Sequence, residues 1–411
     1  MPTSTSERLN DVFARVFRER FFSDHWQKAP LVHSGAGSAR IPPLLDLAEM
    51  DNLVSTLGST DPGWLMLVKD GNNLPVKAYR TEDGLINLSA VYSHYANGYT
   101  IILTKVDRRS QRVGLFCKQL ELFLMRAGCL LSRGIRANVY LTPKGSKGFP
   151  VHYDDHDVLI LQSGGSKRWR IFEPLEIAPV KRFETPIAEH TLGRKLFEGM
   201  IGEGDLLYIP RGFYHDAQST ETYSLHLTLS VQPLKWLDVF QFLMEQRASF
   251  RSDLPLNLFR KGADSRKGAE PRKGTDPREI RQSLEDMLRP LADPDALADA
   301  VSRLRETFFK ASGIFPDNGF AQTGRDSELT IDSRVRKNKG AYCLLVGSGD
   351  ELQLLYQGSG IKVPAALRKV FRFIERTDDF SVHELPDVID DESKLDLVRE
   401  LIRDHYLCMI E

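Results

Sequence analysis

From Ile135 to about Pro233 the chain is cut by turn residues into short apolar segments: ANVYLTP, PVHYD, DVLILQS, KRWRIFEP, LFEGMI, GDLLYIP and YSLHLTLSVQ. So many short strands at this spacing predict a β-sandwich or barrel, around which the rest of the chain must pack. Upstream, Leu9, Val12, Phe13, Val16 and Phe21 recur at helical spacing from Ser6 to Phe22, and IPPLLDLAEMDNLVSTLG reads as a second helix behind a proline-rich start. WLMLVKD, LPVKAYR and YTIILTKV read as strands between Gly63 and Lys105, and Gln111 to Ala127 as a helix with Val113, Phe116, Leu120, Phe123 and Leu124 on one face. The fold class is α+β.

Beyond the strand-rich block the period returns to helical. Trp236, Val239, Phe240 and Leu243 form one stripe, and Leu297, Val301, Leu304 and Phe308 another, with helical pattern also from Arg278 to about Pro290. Between these stripes Arg260-Lys261-Gly262 recurs every six residues as RKGADSRKGAEPRKGTDP, too charged and glycine-rich to bury a core, which predicts a mobile basic linker over about 260–277. Three amphipathic helices with little around them invite pairing with a second copy of the chain. The last hundred residues alternate strands and helices in an order similar to a winged helix. Arg368, Lys369, Arg372 and Arg376 lie on one of those helices, but acidic PDVIDDESKLD follows, so nucleic-acid binding is possible there without being favoured.

Charge gives no global pull toward nucleic acid or membrane, since 55 basic residues face 56 acidic ones. Cys117, Cys129, Cys343 and Cys408 are too scattered for a disulfide framework or a metal knuckle, and no apolar run is long enough to span a bilayer. The expectation is a cytoplasmic protein.

The chemistry gathers in the strand-rich block. In a strand alternate side chains share a face, so His152 and Asp154 point the same way about 7 Å apart and can reach one ion. Asp155 points away. Adding His156 would stretch the set over about 13 Å of extended chain, awkward for one small ion. His215 closes the site better, because PRGFYH turns the chain after the GDLLYIP strand. Two imidazoles and one carboxylate leave positions open on an octahedral ion, the arrangement of non-haem Fe(II) oxygenases. His226 alternates with Thr228 and Ser230 on the next strand, where it either lines the pocket or is satisfied in the core. His190, in a polar run, is expected to be exposed.

The run NVYLTPKGSKGFPVHYDDHDVLILQSGGSKRWRIFEP, together with GDLLYIPRGFYH, resembles the JmjC-type ribosomal oxygenases, cupin-like enzymes that hydroxylate ribosomal-protein side chains. The resemblance extends from the N-terminal HWQKAPLV to the C-terminal segment. It implies a double-stranded β-helix catalytic domain over 1–235, a helical dimerisation domain over 236–315 and a winged-helix domain over 316–411. It assigns His152, Asp154 and His215 to Fe(II), Lys167 to the far carboxylate of 2-oxoglutarate, and Asn138, Tyr140 and Ser230 to the co-substrate pocket. With O2 as the second co-substrate, the implied reaction is hydroxylation of an arginine or histidine in a protein, ribosomal protein foremost, by a homodimer. A lysine at 167 resembles the eukaryotic members more than the bacterial arginine hydroxylases, and gives a point-charge contact where arginine would give a bidentate one. A JmjC-like N-methyl demethylase and a non-catalytic cupin-fold dimer that binds ribosomal protein or nucleic acid are the alternatives.

Overall fold

In this computed structural model the described residues are 13, 16–17, 20–35, 40–58, 63–175, 189–246, 285, 289–313, 319–347 and 351–410. The basic repeat lies outside them, as does most of the two helices expected over Ser6 to Phe22 and Arg278 to Pro290.

Strands β1 (Leu31–His33), β2 (Leu65–Lys69), β3 (Asn72–Asn73), β4 (Thr100–Leu103), β5 (Arg136–Thr142), β6 (Asp157–Phe172), β7 (Lys195–Gly202), β8 (Leu206–Ile209) and β9 (Tyr214–Val231) form one sheet in the order β1-β8-β6-β9-β5-β4-β2-β3, with β7 paired to β6. The backbone of this sheet is the pairing of β6 with β9, which runs antiparallel from Asp157↔Val231 to Phe172↔Tyr214. Its register shifts between Gln162 and Gly164 and again between Gly165 and Lys167. Such bulges bend a strand sharply. Gly165 sits at the bend with φ 61°, where a Cβ would lie 1.9 Å from the Tyr223 carbonyl oxygen, so no larger residue fits.

Alternation divides the sheet's two faces. Ala137, Val139 and Leu141 of β5 and Leu225, Leu227 and Leu229 of β9 point outward onto Val113, Phe116, Leu120 and Leu124 of the helix Gln111–Arg126. Residues of opposite parity point inward, where Val158, Ile160, Trp169, Ile171, Ile201, Leu207, Ile209 and Phe213 form a separate apolar layer. The expected barrel-like arrangement is present, with its polar cavity at one end of that inner layer.

Three expectations are corrected. LPVKAYR is no strand: Pro75, with φ fixed near −56°, starts the 3-10 turn Val76–Ala78, and Tyr79 is buried with its hydroxyl donating to the Leu65 carbonyl. DVLILQS and KRWRIFEP are one strand, β6, because the intervening glycines make a bulge instead of a turn. PVHYD is irregular, with only His152 in a bridge, to His215. A helix over Leu88–Ala96, capped by the Asn87 side chain accepting from the Ala90 amide, had no counterpart in the sequence reading.

Helices Trp236–Gln246 and Pro294–Ala311 pack through Val239, Leu243 and Ala300. Toward the C-terminus β10 (Arg334–Lys337) lies between β14 (Asp379–Ser381) and β15 (Leu407–Met409), while β11 (Cys343–Val346), β12 (Glu351–Tyr356) and β13 (Ser359–Pro364) form a meander. Helices Arg368–Arg376 and Asp391–Arg403 close a second core around Val335, Phe371, Phe380 and Leu401. This part is joined to the barrel by a buried polar node. Glu121 accepts from the Tyr342 hydroxyl at 2.7 Å, from the Ile135 amide at 2.7 Å and from Lys118 Nζ at 3.0 Å.

Candidate metal centre and adjoining cavity

His152, Asp154 and His215 converge so that one ligand atom from each lies within 4.8 Å of the others. The backbone is what aligns the two histidines: His152 and His215 exchange amide-to-carbonyl bonds of 3.1 and 2.8 Å, which leaves their ring centroids 4.5 Å apart. Each ring is then oriented by its own neighbour. His152 Nδ1 donates to the Pro150 carbonyl at 2.9 Å and His215 Nδ1 to that of Phe213 at 3.0 Å, so both present Nε2 as a lone-pair donor. Asp154 Oδ2 stands 3.6 Å from His215 Nε2. Two neutral imidazole nitrogens and one carboxylate oxygen suit a divalent first-row metal with open coordination positions.

Neighbouring charges are occupied elsewhere. Asp155 accepts from His156 Nδ1 at 2.8 Å, which holds the carboxyl below its usual range and keeps His156 out of the cluster. Asp216, directly after His215, takes both Arg170 (2.9 and 2.7 Å) and Lys147 (2.5 Å) behind the site. His190 is exposed.

A cavity opens from the cluster into the barrel, lined by Tyr140, Phe149, Ile160, Lys167, Trp169 and His226 among others. Ile171 is paired with His215, and Lys167 lies four residues away on the same face of β6, so the lysine backbone stands about 13 Å along the strand from the metal end. Lys167 is 4% exposed. Among the described residues its ammonium has one hydrogen bond, to Thr142 Oγ1 at 3.2 Å, and no carboxylate partner; Thr142 in turn meets Thr100 Oγ1 at 3.2 Å. Burial lowers its pKa to about 7. A buried cation facing a cavity without a counter-ion is a site for an anion.

Tyr140 lines this cavity and stacks on His226 with centroids 5.0 Å apart. His226, which the sequence left between two roles, is a cavity residue. Burial first, and then the Lys167 charge, push it well below the usual histidine value, so it is neutral. Asn138 and Ser230 are not among the residues that line the cavity: Asn138 Oδ1 accepts from the Lys105 amide at 3.2 Å, and Ser230 lies across from the lining residue Val158. Sequence reasoning missed Thr100, Thr142 and Trp169. Among the described residues the buried indole N–H of Trp169 has no hydrogen-bond partner, an omission of a kind that costs about 1–3 kcal/mol unless an acceptor is supplied.

Residues 121–239 match the family of JmjC domains. Among individual proteins, the chain is 31% identical over 267 residues to the bifunctional lysine-specific demethylase and histidyl-hydroxylase NO66 of Drosophila persimilis, covering 61% of this chain and 37% of that one. It is 27% identical over 428 residues to ribosomal oxygenase 1 of Danio rerio, covering 93% and 75%. The crystallographic fold of YcfD, a ribosomal oxygenase from Escherichia coli in complex with cobalt and 2-oxoglutarate, is shared across 95% of this chain and 97% of that one, at a TM-score of 0.55 and 16% identity. The resemblance to ribosomal oxygenases drawn from the motifs is met by these relatives, and the cupin-like core by the shared fold.

Proposed function

We propose that this chain is an Fe(II)- and 2-oxoglutarate-dependent oxygenase that hydroxylates an arginine or histidine side chain of a protein, a ribosomal protein being the foremost candidate. The observation that carries the reading is Lys167: a buried cation with no carboxylate partner among the described residues, in the same cavity as a two-histidine, one-carboxylate cluster. An anion that ligates a metal at one end and meets a cation at the other satisfies both, and a 2-oxo dicarboxylate is such an anion.

In this reading His152, Asp154 and His215 hold the metal. Lys167, anchored by Thr142, orients the far carboxylate. Ile160, Trp169 and Phe149 supply apolar walls that keep bulk water away. Bound there, Fe(II) would supply the oxidative decarboxylation of 2-oxoglutarate by O2, giving succinate, carbon dioxide and a hydroxylated side chain.

The helices Trp236–Gln246 and Pro294–Ala311 are read as a homodimer contact, supported by Trp236 and Leu237 at 64% and 44% exposure on the first of them. Residues 316–411 are read as a winged-helix module that presents the protein substrate. Cytoplasmic location is supported by cysteines that form no disulfide; among the described residues no helix is long and apolar enough to cross a membrane. The decisive experiment measures succinate from the purified chain with Fe(II), ascorbate and 2-oxoglutarate, with and without cell extract, followed by mass spectrometry of ribosomal proteins for a gain of one oxygen. No turnover under either condition defeats the reading. Formaldehyde release from methylated peptides would favour the demethylase alternative.

A further inference from the structure

Among the buried side-chain polar atoms that make no hydrogen bond in the described residues, Trp169 Nε1 is the one on a residue that lines the cavity. The residue is 5% exposed, so water does not compensate from outside. An indole nitrogen donates and cannot accept, so it needs an acceptor from a neighbour or a ligand. No neighbour among the described residues takes that bond. The ring faces the edge of His226 at 5.7 Å between centroids and lies 6.2 Å from that of His215, while Lys167, two residues away on the same face of β6, is itself a donor. If filling space were the whole task, phenylalanine would meet it without a stranded N–H.

We propose that Trp169 is a ligand-binding residue, its Nε1–H donating to an oxygen of the 2-oxo acid co-substrate, between the contact at Lys167 and the metal cluster. This inference rests on the functional reading above. The register places the indole between the two: on the shared face of β6 the order is Lys167, Trp169, Ile171, and Ile171 is paired with His215. The acceptor nearest the metal is the carboxylate adjoining the keto group, so the indole and the metal would hold the same end of the ligand while Lys167 holds the other. A 2-oxo monocarboxylate would keep the indole contact and lose that of Lys167, which separates the two residues' contributions.

The test uses the full chain loaded with Zn(II), a diamagnetic stand-in for Fe(II), and reads binding without turnover. In protein carrying 15N-labelled tryptophan, one of the four indole resonances should move downfield on addition of 2-oxoglutarate and disappear in Trp169→Phe. The same variant should bind 2-oxoglutarate about tenfold more weakly, equal to about 1.4 kcal/mol, with Zn(II) affinity unchanged. Should Trp169→Phe fail to fold, the shift in the unsubstituted chain still decides. An unmoved set of indole resonances in a chain that binds 2-oxoglutarate overturns the proposal alone. If calorimetry detects no 2-oxoglutarate binding to the unsubstituted chain, the functional reading falls and this proposal with it.

Discussion

The two ends of the cavity are built in opposite ways. At the metal end the side chains come from two short pieces of chain, His152 to Asp154 and the start of β9, and backbone carbonyls orient both imidazoles. At the closed end Lys167 of β6, Thr142 of β5 and Thr100 of β4 meet in one hydrogen-bonded chain, and the cation among them is nearly dry. The first end can hold a metal with geometry that the backbone already enforces. The second is held in a charged form only as far as desolvation allows, so it depends on what enters. The difference teaches that metal binding and co-substrate binding should be separable by mutation and by pH.

The largest expected effect is at the metal end. His152→Ala or Asp154→Ala should reduce succinate production to background, with the circular-dichroism spectrum retained, because both side chains are partly exposed and neither is part of an apolar core. Undiminished succinate from either variant would remove the assigned ligands. Lys167→Ala should leave metal affinity intact and raise the Kd for 2-oxoglutarate by about 10- to 100-fold, the worth of one charge-assisted bond. Calorimetry that finds metal and co-substrate affinity lost together would erase the contrast between the ends.

Proton linkage sharpens it further. Only the charged lysine pairs with a carboxylate, and burial lowers the free form to about 7, so affinity for 2-oxoglutarate should be flat below that value and fall as pH rises, by up to about tenfold per unit. For folding the sign is reversed. The unfolded lysine titrates near 10.5, so the unfolded chain holds more protons between about 7 and 10.5, and stability rises with pH across that window. Lys167→Met should abolish this rise in a series of denaturant titrations. Smallest is Thr142→Val, which leaves the ammonium without its one protein partner among the described residues and should weaken 2-oxoglutarate about fivefold, the loss of one orienting hydrogen bond of about 1 kcal/mol. An affinity as tight as that of the unsubstituted chain would mean that the hydroxyl only fills space.

The same contrast explains what was legible beforehand. His152, Asp154 and His215 could be read because their spacing is local and the turn before His215 is signalled by proline and glycine. Even so, the strand expected under the first two is absent: residues 151–156 make a single bridge, at His152, and the Asp154 carbonyl accepts instead from the Gly212 amide in the turn before His215. Lys167 could be singled out by the resemblance of GGSKRWR to the ribosomal oxygenases. Thr100, Thr142 and Trp169 could not, because their convergence is set by the order β6-β9-β5-β4 and by the bulges near Gly165, and neither is written in the alternation of any one strand. Asn138 shows the converse. Alternation puts it on the same face as Tyr140, yet a left-handed turn at Lys105 delivers a backbone amide that takes up its side-chain oxygen.

The Glu121 node limits how the chain can be divided. A carboxylate at 1% exposure shares its acceptor positions between Lys118, the amide that leads into β5, and the Tyr342 hydroxyl from the other side of the boundary. Ending the chain before Tyr342 would take one of three donors from that carboxylate and uncover it at the base of the strand bearing Tyr140 and Thr142. An excised barrel, however natural the cut looks on a domain map, would therefore make a poor surrogate for crystallography or ligand screening.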